Sequence, residues 1–77
     1  MKYQIGDIIK VNIRNKVYNA IITDIRTLFD QQLYSYVVQT IEGKVFYDYH
    51  NDLETRELEA INMLLETALK DYEIPDR

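Results

Sequence analysis

The stretch Leu33 to Glu54, LYSYVVQTIEGKVFYDYHNDLE, constrains the fold more than any other part of the chain. It reads as a β-hairpin whose second strand runs into a capped turn and a helix. With Glu42-Gly43 as the loop, the cross-strand pairs become Thr40 with Val45, Val38 with Tyr47 and Tyr36 with Tyr49. One face then collects apolar and aromatic groups and becomes the core side. The other pairs Gln39 with Phe46 and Val37 with Asp48. A slip of one residue would exchange the faces, so the pattern itself selects the pairing.

The same period of two appears earlier. Gly6-Asp7 opens a strand in which Ile9, Val11 and Ile13 alternate with Lys10, Asn12 and Arg14. A turn at Asn15-Lys16 would pair Ile13 with Tyr18, Val11 with Ala20 and Ile9 with Ile22, all facing one way. Asp24 to Gln32 is the least regular segment and reads as the longest loop, carrying a bend or a short helical turn around Ile25, Leu28 and Phe29.

After His50 the period becomes helical. Asn51 with Glu54 resembles a capping box, with Asp52 or Thr55 as alternative caps if Asp52 to Glu54 forms a separate tight turn. Leu58, Ile61, Leu65, Ala68, Leu69 and Tyr72 form one apolar stripe, with Leu64 on its flank and Met63 on the opposite, exposed side. Pro75 ends the helical part, 55–74, with the last regular turn near Asp71. The first half of the stripe is expected to pack near Ile25, Leu28 and Leu53. Leu64, Leu69 and Tyr72, with Glu57 and Glu66, are candidate contacts to a partner or to a second copy of the chain.

With 77 residues, the chain has room for one domain and one modest core. It has no cysteine, which suits a reducing compartment. No apolar run approaches a membrane span, and the N-terminus has no signal-peptide pattern, so a soluble cytoplasmic protein is expected. The formal net charge of -4 hides an asymmetry. Residues 1–47 hold six basic and four acidic groups, while residues 48–77 hold three basic and nine acidic ones.

The order GDIIKVNI, YNAIITDI, YSYVVQTIEGKVFYDY and HNDLE resembles small SH3-like barrels of the Tudor and KOW types over about residues 4–54. Gly6-Asp7, Asn15-Lys16, Gly43 and Leu53 stand at the resembling positions. The resemblance implies a partly open barrel of four to five antiparallel strands, here followed by one α-helix: a mainly β, α+β fold. Unrelated functions share this pattern, so function has to come from the side chains.

A Tudor-type barrel implies an aromatic cage for a methylated cation. Rings are plentiful at Tyr18, Tyr34, Tyr36, Phe46, Tyr47 and Tyr49. The pairing, however, turns Tyr36, Tyr47 and Tyr49 toward the core, there is no tryptophan, and Asp48 is the one acidic candidate. A KOW-type barrel implies nucleic acid, for which Lys10, Arg14 and Lys16 at the first hairpin are the basic candidates. The acidic C-terminal half opposes attraction of a polyanion.

His50, Asp48 and Asp52 at spacing two are not a specific metal or acid-base pattern, and no activated nucleophile or phosphate loop is visible. The expectation is therefore a non-enzymatic protein-binding module without cofactor or metal. The alternatives are a nucleic-acid-binding accessory domain and a small acidic inhibitor that mimics nucleic acid, a class which phages and mobile elements encode.

Overall fold

The computed structural model describes residues 2–72. Four strands, β1 (Ile8–Ile13), β2 (Lys16–Leu28), β3 (Gln31–Thr40) and β4 (Gly43–His50), form one open antiparallel sheet in the order β1-β2-β3-β4. A single helix, α1 (Leu53–Tyr72), follows. The architecture is thus mainly β with a C-terminal helix.

Both predicted hairpins form with their faces as expected and their registers moved by two residues. In the first, Ile13 pairs with Lys16, Val11 with Tyr18 and Ile9 with Ala20, so the turn is Arg14-Asn15. In the second, Thr40 pairs with Gly43, Val38 with Val45 and Tyr36 with Tyr47, so the turn is Ile41-Glu42. A shift of two preserves the side of every residue, whereas the turn chemistry fixes the count. Arg14 and Asn15 both have positive φ, 54° and 65°, as the type I′ turn matching strand twist requires. At the second turn the positive φ falls on Gly43, 130°, where a missing Cβ removes the strain.

Asp24 to Gln32 is not a long loop. It completes β2, turns tightly at Phe29-Asp30 and begins β3, with Leu28 paired to Gln31. Phe29 and Asp30 are again both at positive φ, 50° and 64°. The irregular sequence reflects a bulge. Ile22 pairs with Tyr36 and Asp24 with Ser35, which leaves Thr23 as the extra residue and places the apolar positions Ile22 and Ile25 three apart.

A second bulge lies opposite. Tyr36 pairs with Tyr47 but Tyr34 pairs with His50, so Asp48 and Tyr49 face the single residue Ser35. Tyr49 takes positive φ, 52°, and its N–H donates to Ser35 Oγ at 3.1 Å. The bulge turns Tyr49 to the outer face, which corrects the expected core position. Tyr36 remains fully buried and Tyr47 half-buried on the inner face.

The core on the inner face comprises Tyr3, Val11, Ala20, Ile22, Tyr34, Tyr36, Val38 and Leu53, with Ile9, Ile13, Tyr18, Ile25 and Tyr47 packed against it. Gln4 to Asp7 turns the chain into β1. Gly6 sits at φ 95°, the Asp7 carboxylate accepts the Gln4 N–H, and Gly6 N–H bonds the Ile22 carbonyl at 2.7 Å. That turn brings Tyr3 under the helix, edge-on to Tyr34 with ring centroids 5.0 Å apart.

The helix starts at Leu53, two residues before the predicted start, and Asp52 precedes it with its carbonyl accepting the Arg56 N–H at 3.0 Å. It packs against β1. Leu53 and Ala60 are fully buried, and Arg56, Glu57 and Met63 are half-buried. The inward face is therefore 53, 56, 57, 60 and 63, rotated away from the predicted stripe. Leu28, an expected packing partner, is exposed, and Met63 is on the covered side. Two side-chain anchors set this rotation. Arg56 reaches the Tyr36 hydroxyl at 2.8 Å, and Glu57 accepts the Tyr3 hydroxyl. Small Ala60 then allows close approach of the helix backbone to the sheet.

Candidate interaction surfaces

Twenty residues of helix span roughly 30 Å at about 1.5 Å per residue. Among the residues whose burial is described, 53–70, the fully buried helix positions are Leu53 and Ala60, both in the first half. The molecule is correspondingly elongated, with a radius of gyration of 14.9 Å against about 11.5 Å for a compact chain of this length.

Rotation of the helix leaves its apolar stripe uncovered. Leu58 is 59% exposed, Leu65 56% and Leu69 61%, and Ile61 and Leu64 are also exposed. Single exposed leucines are ordinary; a contiguous line over three turns is not. Of the candidate partner contacts, Leu64, Leu69 and Glu66 are on the surface. Glu57 is turned inward, with the Lys2 ammonium 3.5 Å away in addition to Tyr3. The side chain of Tyr72 lies outside the described residues, as does the 73–77 end of the chain.

The outer face of the sheet carries a second apolar line, spread over all four strands. Ile8 pairs with Ile21, Ile21 with Val37 and Val37 with Phe46, one residue from each strand. Ile8 is 66% exposed and Phe46 71%, with Ile21 also exposed. Beside this row lie Lys10 paired with Asn19 and Gln39 paired with Lys44. Between the rows is a shallow hollow of 280 Å³ lined by Ile8, Asn19, Ile21, Val37, Gln39 and Lys44.

The three basic candidates do not share a face. Lys10 projects from the outer face, whereas Lys16 pairs with Ile13 on the inner side and Arg14 lines an inner-face hollow with Tyr18, Val38 and Tyr47. All three are exposed.

Of the six rings a cage could draw on, two, Tyr36 and Tyr47, come together, while Phe46 and Tyr49 lie on the outer face and Tyr34 meets Tyr3. Tyr36 and Tyr47 stack at 4.9 Å, His50 meets both edge-on, and the Arg56 guanidinium stands 5.1 Å from the Tyr47 ring centroid. Arg56 thus supplies the cation from within the chain. It is tied in turn to Asp52, with Nε 3.1 Å from Oδ2. Burial pushes the Tyr36 hydroxyl up to about 12, with the Arg56 charge opposing. Burial, followed by the bond to Glu57, also raises Tyr3.

On the outer face, Tyr49 donates to Asp24 and lies under the Arg26 guanidinium, 4.2 Å from the ring centroid. Ser35 is buried at the junction. The Tyr49 hydrogen bond holds the Asp24 carboxyl below its ordinary range. The Tyr49 hydroxyl, accepting from Arg26 and donating to Asp24, links the two charges as a brace across the two bulges.

Among the described residues, no group of three or more His, Cys, Asp or Glu is placed to hold a metal ion, and no helix is long and apolar enough to cross a membrane. Comparison with protein-family models, with curated proteins and with solved structures yields no match.

Proposed function

We propose that the chain is a non-enzymatic protein-protein interaction module of the cytoplasm, binding through the exposed stripe of its helix. The observation that carries this reading is Leu58, Ile61, Leu65 and Leu69 standing uncovered on a helix longer than its contact with the sheet. An amphipathic helix is a common protein-recognition element, its anchors spaced at i, i+3, i+7 and i+11 as here. The SH3-like, Tudor- or KOW-type likeness of the strand segment belongs to the same proposal, since such small folds serve as binding modules.

Nucleic-acid binding draws less support, because Lys10 stands on one face while Arg14 and Lys16 stand on the other. The acidic-inhibitor reading draws on exposed Glu54, Glu59 and Glu66. Glu57 and Asp52 are engaged by Tyr3 and Arg56 and offer less to a partner.

A photo-crosslinking side chain placed at Leu65, compared with one at Glu42 in the exposed β3–β4 turn, tests the proposal in the native host. Discrete protein adducts from position 65 and none from position 42 are expected. Equal labelling from both positions, or none from 65, would refute it.

A further inference from the structure

We infer that the helix stripe and the outer face of the sheet are two halves of one contact, so that α1 of one copy lies across the outer row of a second copy. The inference rests on the interaction-module reading and names the partner of the same helix. Three observations support it: two uncovered apolar lines, matched lengths, and opposite charge beside them.

The helix line from Leu58 to Leu69 is about 16 Å long at about 1.5 Å per residue. The sheet line Ile8, Ile21, Val37 and Phe46 crosses three strand spacings, about 14 Å at about 4.8 Å each. Each line is one residue wide and, apart from half-buried Val37, exposed. Laid together, the leucines of α1 meet the isoleucines and Phe46 of the sheet, and both are removed from water.

The flanks decide the occupant. Along one side of the helix stripe run Glu59, Asn62 and Glu66 at i, i+3 and i+7, all exposed. Along one side of the sheet row run Lys10, Asn19, Gln39 and Lys44, also exposed. With apolar line on apolar line, the carboxylates face ammonium groups and the amides face amides. The carboxylates are roughly 10 Å apart along the helix, and the lysines stand on the two edge strands. Long, flexible side chains take up the difference. A helix–helix pairing would instead bring two predominantly acidic surfaces together. Because the stripe faces away from the sheet and the row lies on the sheet's other side, the contact is head-to-tail, and each copy can take part in two of them.

Complementation tests this arrangement. Leu65→Glu disables the helix line and Phe46→Glu the sheet line; both residues are solvent-exposed, so the monomer fold is retained, as circular dichroism would verify. Phe46→Ser serves as a second, uncharged sheet variant. By sedimentation velocity over a concentration series, the wild type is expected to self-associate into dimers and longer head-to-tail oligomers. Each variant alone should weaken association at least about tenfold, as loss of a central anchor does. An equimolar mixture of Leu65→Glu and Phe46→Glu should recover a hetero-dimer, because one intact helix and one intact sheet remain. Wild-type association untouched by both sheet variants but lost with Leu65→Glu would overturn the inference while leaving the helix as the interaction surface. A monomeric wild type, or a mixture that stays monomeric, would overturn it as well. Adducts from position 65 to other proteins would then decide the broader reading separately.

Discussion

Leu53→Ala and Leu65→Ala ask the same question of two leucines twelve positions apart on one helix, and the structure assigns them opposite answers. Leu53 is fully buried at the start of α1, within the cluster of Tyr3, Tyr34, Tyr36 and Ile22. Truncating such a side chain removes its transfer energy and leaves a cavity, at a cost of roughly 2–5 kcal/mol. A chain of 77 residues has a total stability of roughly 4–12 kcal/mol, so the loss is a large fraction of the whole. With a urea slope near 1 kcal/mol/M for a protein this small, the midpoint should fall by about 2 M or more. Leu53→Met, which conserves volume, should cost less than about 1.5 kcal/mol and separates cavity formation from general disturbance. Leu65, being 56% exposed, should cost under about 0.5 kcal/mol. The assay is equilibrium urea unfolding followed by tyrosine fluorescence and far-ultraviolet circular dichroism. It is repeated at two protein concentrations, so that any contribution of self-association to Leu65 appears as a concentration dependence. Equal losses for Leu53→Ala and Leu65→Ala in the dilute, monomeric chain would mean that the helix is rotated onto its leucine stripe after all.

Ala60→Leu should destabilise by roughly 1–3 kcal/mol, because a fully buried alanine leaves no open space for a larger side chain; a neutral outcome in thermal unfolding would show slack in that contact. Stability should also fall at alkaline pH. The Tyr36 hydroxyl is raised in the folded chain to about 12, mainly by burial, so its contribution is intact below the unfolded value of about 10 and is lost as pH rises through the folded value. Tyr3 and Tyr34 are shifted the same way; denaturation midpoints unchanged between about pH 9 and pH 11.5 would contradict these shifts. At the β2–β3 turn, Phe29 is 90% exposed at φ 50°. Phe29→Asn should therefore stabilise by up to about 1 kcal/mol by relieving the left-handed strain, and a lowered melting temperature would show that the ring has a stabilising contact.

Residue alternation made the two faces of each hairpin legible because side chains in a strand repeat every second residue. It could not set the register, since a slide by two leaves the same residues inside. Val38 was therefore placed correctly on the core side while its partner, Val45 rather than Tyr47, was not. Thr23 and Tyr49 show the second limit. A bulge inserts one residue and reverses the alternation beyond it, which made β2 look like a loop and hid the outward turn of Tyr49. The helix was legible in extent but not in rotation. Its sequence offers a strong leucine stripe and a weaker face of Leu53, Ala60 and Met63, and the choice between them was made by Arg56 and Glu57 finding Tyr36 and Tyr3. Tyr3 itself was missed, being a lone aromatic ahead of the first strand. The outer row of Ile8, Ile21, Val37 and Phe46 becomes visible only when four strands are aligned.

The attachment of α1 to β1 also orders events in time. Each strand pairing joins neighbours in sequence across a two-residue turn, so the sheet can zip up from local closures, the kind that cost least chain entropy and form fastest. Helix and first strand, by contrast, are separated in sequence by the three other strands. While the polypeptide is being synthesised, β1 must wait with one side uncovered until α1 emerges. Arg56 and Glu57 then act as the latch, closing on Tyr36 in the sheet and on Tyr3 ahead of it. Folding of these elements should therefore end with α1, with amide protection in the first helical turns appearing after that of the strands in pulse-labelling hydrogen exchange.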